Sequence, residues 1–194
     1  LNKELQEQRG NAALYSATVK GAPYQWVNLE AELAQGKLGE RQGMAYYGGL
    51  DLRVRSVSLH SSVLRAGMDY PGYYSNTANY AVNLNATLSR RFTTTAGFNQ
   101  DRSNLALDTL FYAAPLSSSW YASLTYMTPR RFQSTLRAGT REREDRMEPR
   151  AFHYQEDFVN LILSHELQKV SASLQSEVAE SRNLLRSQAE GLSF

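Results

Sequence analysis

The chain has 194 residues, 42% of them hydrophobic, and 21 Lys+Arg against 19 Asp+Glu give a net charge of +2. That balance excludes the positive footprint of a nucleic-acid binder, and the lack of any run of about 18 apolar residues excludes a helical membrane span. Zero cysteines exclude a disulfide scaffold and any thiolate-bound metal. Aromatic residues are plentiful (12 Tyr, 7 Phe, 2 Trp) and are separated by polar ones. The chain opens on Leu1 without a signal-peptide pattern, which reads as a processed product or a piece of something longer.

Residues 1–10 carry no clear period and stay unassigned. Residues 11–20 and 24–35 alternate about a turn at Lys20-Gly21-Ala22-Pro23, with Ala13, Tyr15, Ala17, Val19, Val27, Leu29, Ala31 and Leu33 on one face. Residues 44–55 and 57–67 form a second hairpin, its apolar face holding Leu50, Leu52, Val54, Val57 and Leu59. The clearest hairpin spans 79–103: Tyr80, Val82, Leu84, Ala86 and Leu88 alternate with polar or small residues, and Phe92, Thr94, Ala96 and Phe98 return. Trp120, Ala122, Leu124 and Tyr126 repeat the phrase, a turn follows at Thr128-Pro129-Arg130-Arg131, and Phe132, Ser134, Leu136 and Ala138 answer. Residues 153–165 and 169–181 read as a last hairpin. A helical period also fits Val159, Leu163, Leu167, Val170 and Leu174, and 176–190 is rich in helix formers, so helix competes over 156–190. Residues 182–194 read as a loop or the start of a further segment.

The expected connections alternate. Short ones fall near 21–23, 56, 90–91, 129–131 and 166–168, and long ones at 36–43, 68–78, 104–117 and 143–152. Strands of roughly 10 to 13 residues exceed the soluble mode of about 5 to 6 and suit a tilted membrane crossing of about 9 to 11. The expected fold is therefore all-β, an antiparallel up-and-down meander over 11–181 with about ten strands. In this pattern the chain resembles the transmembrane β-barrels of Gram-negative outer membranes. The resemblance implies an outer-membrane location, tight turns toward the periplasm, and outer-membrane lipid, lipopolysaccharide and possible larger assemblies as partners. Ten strands in that order leave both ends on the long-loop side, which favours an interior section of a larger barrel, with the first and tenth strands not paired to one another.

Candidate functional residues fall in two groups. Arg53, Arg55, Arg137 and Arg141 sit on the polar faces, where they would line a lumen and set anion preference, or pair with acids such as Glu30 and Glu32 across a plugged interior. Tyr70, Tyr73 and Tyr74 flank the Pro71-Gly72 turn, as a loop contact for a sugar or protein or as rings packed on one another at the mouth. The run Arg141–Arg150 holds four arginines and four acids, suited to anionic sugars or to self-pairing. His60, His153 and His165 share no spacing that suggests a site, no nucleophile elbow surrounds a serine, and no metal-ligand or phosphate-loop pattern is present. The expectation is no catalytic site, metal or cofactor. The expected function is a transport or secretion pore; the alternatives are an assembly anchor with a plugged lumen and a soluble β-rich adhesin.

Overall fold

Alternation with a period of two commits each segment to an extended backbone with one apolar and one polar face. The computed structural model describes residues 12–72, 74–166 and 170–185. Its strands are β1 (Ala12–Tyr24), β2 (Val27–Leu38), β3 (Arg41–Val54), β4 (Val57–Ala66), β5 (Thr77–Thr87), β6 (Phe92–Ser103), β7 (Pro115–Met127), β8 (Phe132–Asp145), β9 (His153–Glu166) and β10 (Ser171–Asn183). They form one ten-stranded antiparallel sheet in sequence order. Edges β1 and β10 do not pair with one another, so the sheet is not closed into a barrel. The fold class and the ten-strand meander are as expected. The helical competitor loses over 171–183, because β10 pairs in unbroken register with β9 from Ser171↔Glu166 to Asn183↔Tyr154.

Two connections differ from expectation. The first turn is Gln25–Trp26 rather than 20–23, and Lys20 to Pro23 lie within β1. Pro23 is tolerated there because β1 is an edge strand and its register shifts between Gly21 and Tyr24. The expected long loop at 36–43 is instead a two-residue turn, Gly39–Glu40, with Leu38 paired to Arg41. Gly39 has φ +62°, the left-handed value a two-residue hairpin needs at its first central position. Polar side chains at Lys37, Arg41 and Gln42 mimicked a loop because these strands run past the apolar band.

Three long loops remain at one end, and hydrogen bonds link them. The buried Asp145 carboxylate accepts from the backbone N–H groups of Ala114 (2.8 Å), Met147 (3.0 Å) and Ala151 (3.2 Å). Arg146 donates to the carbonyls of Ser103 and Asn104, each at 2.8 Å. Asn76, in the β4–β5 loop, donates to Asn104 Oδ1 at 3.2 Å and accepts from the Ala106 N–H at 3.2 Å.

The sheet is a single layer. Its accessible surface is 14619 Å², against about 9,300 Å² for a globular monomer of this mass. Buried hydrophobic residues among those described are small (Ala34, Ala45, Ala66, Ala78, Ala114) apart from Val27 and Phe158. The large apolar side chains are instead exposed on one face: Val19, Leu29, Leu33, Val57, Leu84, Phe98, Trp120, Leu124, Leu136, Val159, Leu174 and Val178. Cross-strand pairs such as Leu59↔Leu84, Leu84↔Ala96 and Phe98↔Trp120 place them side by side.

Arg55 lies outside the strands. It occupies the β3–β4 turn with φ +51°, so it does not share the polar face of Arg53. A left-handed arginine costs about 1 kcal/mol, which glycine would relieve. Arg55→Gly is expected to leave the unfolding midpoint unchanged or raise stability by up to about 1 kcal/mol; a loss above that size would mean the Arg55 side chain holds contacts beyond the turn.

Candidate functional site on the polar face

At the height of the apolar band the opposite face carries Ser, Thr, Asn, Gln and the charged groups, and its centre is the more sheltered side. Phe158 and Asn160 on that face are each 4% exposed, whereas their neighbour Val159 on the other face is 50% exposed. Alternation produces this directly, since 158 and 160 share a parity that 159 does not.

Arg141 organises the densest part. It lies opposite Glu156 in the β8–β9 ladder and bonds it at 2.6 Å, reaches Glu177 on β10 at 3.3 Å, and stacks 4.0 Å above the Phe158 ring. Glu177 also accepts from Asn160 Nδ2 at 2.9 Å. One guanidinium thus ties three strands. Arg137, four residues earlier on the same face, stacks 3.7 Å over Tyr121 and 5.8 Å from Phe158, with its Nε buried and unpartnered. Cation–π contact in a partly dry setting contributes about 1–2 kcal/mol. The Tyr121 hydroxyl reaches Asn83 Oδ1 at 3.2 Å, two strands away. Its ring lies across the sheet because Gly97 stands opposite it; a Cβ there would collide with Tyr121 Cε1 and Cζ.

A second cluster sits on β1–β4. Lys20 pairs with Glu30 at 2.7 Å, and His60 Nδ1 lies 2.6 Å from Asp51 Oδ1. Arg53 joins Asp51, His60, Asn28 and Asn85 around a cavity of about 380 Å³. The acids expected to neutralise the arginines were Glu30 and Glu32. Arg141 instead takes Glu156 and Glu177, and Glu30 is held by Lys20. Glu156, Glu177, Tyr121 and the Asp51–His60 pair were not picked out from sequence. Extending the hairpin register outward from 146–152 would have paired Arg141 with Glu156.

The tyrosine loop folds inward. Tyr70 packs against the Ala34–Ala45–Ala66 cluster, and Gly43 and Gly36, paired across β2–β3, admit the backbone of Asp69–Tyr70 and the ring of Pro71. Tyr70 is therefore a packed ring rather than a projecting contact. Tyr74 is 55% exposed, and Tyr73 lies outside the described residues. In the Arg–Glu run from 141 to 150, among the described residues only Arg150 pairs within the run, holding Glu144 at 3.1 Å and Glu148 at 3.4 Å. Arg141 and Arg146 reach neighbouring strands and loops, and Arg143 stacks 5.4 Å from Phe152.

Placing Tyr121 on Gly97 gives a coupling test. Gly97→Val is expected to cost about 1–3 kcal/mol by overpacking, and much less in a Tyr121→Ala background, read from denaturant midpoints. Equal costs in the two backgrounds would show that the ring does not rest there. No family model, no curated protein and no solved structure matches the chain, and its functional reading rests on this geometry.

Proposed function

We propose that this chain is an arc of a Gram-negative outer-membrane β-barrel acting as a transport or secretion pore. Its apolar face meets lipid and lipopolysaccharide, and its polar face lines the lumen. The observation that carries the reading is the inverted polarity of a single-layer sheet. Large apolar side chains are exposed along one face from β1 to β10, while charges cluster on the sheltered face. An apolar patch of this extent on a soluble monomer would far exceed a few hundred Å².

Dimensions support it. From Val54 to Tyr46 the apolar face of β3 runs eight residues, about 27 Å along the strand and about 20 Å in height at a 40° tilt, near the band of about 25 Å in such barrels. Aromatic rings flank that band. Phe92–Tyr126 (4.9 Å between centroids) and Tyr24–Trp26 (5.2 Å) mark the tight-turn end, and Tyr46, Tyr80 and Trp120 lie toward the loops. Above them the same face turns polar at Arg65, Arg102, Glu142 and Asp157. Unpaired strand edges in lipid cost several kcal/mol per backbone group, so β1 and β10 would be covered by further strands, making this an interior section of a larger barrel. Other proteins of an assembly would then be partners, and the lumen chemistry is solute selection rather than catalysis.

The inward β4–β5 loop over Gly36 and Gly43 favours a second reading, an anchor whose lumen is plugged. Planar-bilayer recordings separate the two: stepwise conductance is expected for the pore, and a lipid-inserted chain that passes no current belongs to the anchor.

The membrane reading has its own tests. With the protein in liposomes of bromine-labelled acyl chains, Trp120 fluorescence is expected to be quenched. A chain that stays in solution without detergent, its tryptophans unquenched, would instead be a soluble β-rich adhesin. Leu84→Arg should cost about 2–4 kcal/mol of insertion free energy near the midplane, whereas Asn85→Arg, on the other face, should be mild. Equal penalties would reverse the assignment of faces.

A further inference from the structure

From Glu142, Glu144 and His153 we infer a binding site for one divalent transition-metal ion, of the zinc class, at the loop end of the β8–β9 ladder. The ladder builds it. Glu144 lies directly opposite His153, and Glu142 is two residues along on the same face. One ligand atom from each residue falls within 4.8 Å of the others. His153 Nε2 points at both carboxylates, 2.8 Å from Glu142 Oε1 and 3.9 Å from Glu144 Oε2. Zinc bonds of about 2.0–2.1 Å in a tetrahedron set donor atoms about 3.3 Å apart, and the two observed distances straddle that value. The Glu142 and Glu144 oxygens, within 4.8 Å, close to that spacing by rotation of the two side chains.

The imidazole supplies an independent observation. His153 is only 9% exposed, and its Nδ1 is buried with no hydrogen-bond partner. Without a metal, Nε2–H donates to Glu142 and Nδ1 keeps an unsatisfied lone pair. Ligation through Nε2 moves the proton to Nδ1, so the metal–ligand bonds have to outweigh the lost Glu142 hydrogen bond and a buried Nδ1–H without a protein acceptor. Two carboxylate oxygens and one imidazole nitrogen suit zinc and its neighbours, with water completing the fourth position. Calcium and magnesium are hard cations that take oxygen ligands, water included, and leave the imidazole nitrogen unused.

Arg150 is the internal competitor. Its Nη1 holds Glu144 at 3.1 Å, and its Nε has Glu148 as an alternative acceptor at 3.4 Å. Metal binding displaces the guanidinium from Glu144 toward Glu148. The sequence hid the site because His153 is nine residues from Glu144, across the loop. The site lies beyond the apolar band, so it stands whether or not that band is in lipid.

The test uses the full chain, free of any histidine tag, with Co²⁺ as the spectroscopic probe. One equivalent is expected to bind with the visible absorption of a tetrahedral site, and Zn²⁺ should displace it. His153→Gln and Glu142→Gln should each weaken binding by about 10- to 100-fold or more, the loss seen even for outer-shell partners. His60→Gln and His165→Gln should leave it unchanged. Arg150→Ala should tighten binding, a direction that a purely structural role for the cluster does not give. Circular dichroism confirms that each variant keeps its strands, and a variant that does not is replaced by His153→Asn. Failure of the wild type to take up one Co²⁺, binding unaltered in folded His153 variants, or uptake of Ca²⁺ alone would overturn the inference.

Discussion

A single pleated layer can satisfy every backbone hydrogen bond internally and still leave both of its faces uncovered. That condition governs this molecule. Pairing from β1 to β10 consumes the donors and acceptors of the interior strands, but no second sheet or helix layer lies against either face among the described residues. Hydrophobic stabilisation is correspondingly thin, because the buried set consists mostly of alanines. The free energy that a globular domain draws from its core has to come from what surrounds the apolar face. Chain alternation decides which face that is, and the rings near the ends of the band define its height.

The polar face solves a different problem. Polar and charged groups there are paired within reach of the ladder: Arg141 with Glu156 and Glu177, Lys20 with Glu30, and the His60 ring by a hydrogen bond with Asp51. Pairs this exposed contribute little to stability individually. Their effect is positional, since a guanidinium held on Phe158 by two carboxylates has a fixed direction. Arg137 differs, being stacked on Tyr121 beside that network with its Nε unpartnered.

The architecture was legible because period-two alternation is a local signal that no distant contact overrides here. The 79–103 and 119–141 hairpins show this in their turns and in the sidedness of Leu84 or Trp120. Boundaries were harder where polarity stopped tracking structure. Gly36 to Gly43 looked like a loop because strands that outrun the apolar band carry polar residues on both faces, and Arg55 looked like a strand residue because turn geometry depends on φ. Site residues were least legible. Arg137 and Arg141 announce themselves as charges on a polar face, but Glu156, Glu177 and the pairing of Glu144 with His153 follow only from register. Tyr70 resembled a contact residue, and the glycines that let its loop fold inward lie about thirty residues earlier.

Asn76, Asn104, Asp145 and Arg146 belong to different segments of the same rim, and each satisfies polar groups on a neighbour. Surface loops that exchange hydrogen bonds cannot be swapped or lengthened one at a time, because altering one orphans donors in the next. The rim is thus a single mechanical part with three spans. A force on the β4–β5 span is passed through Asn76 and Asn104 to Arg146, and from there to the top of β8, so whatever presses on one span meets the stiffness of all three.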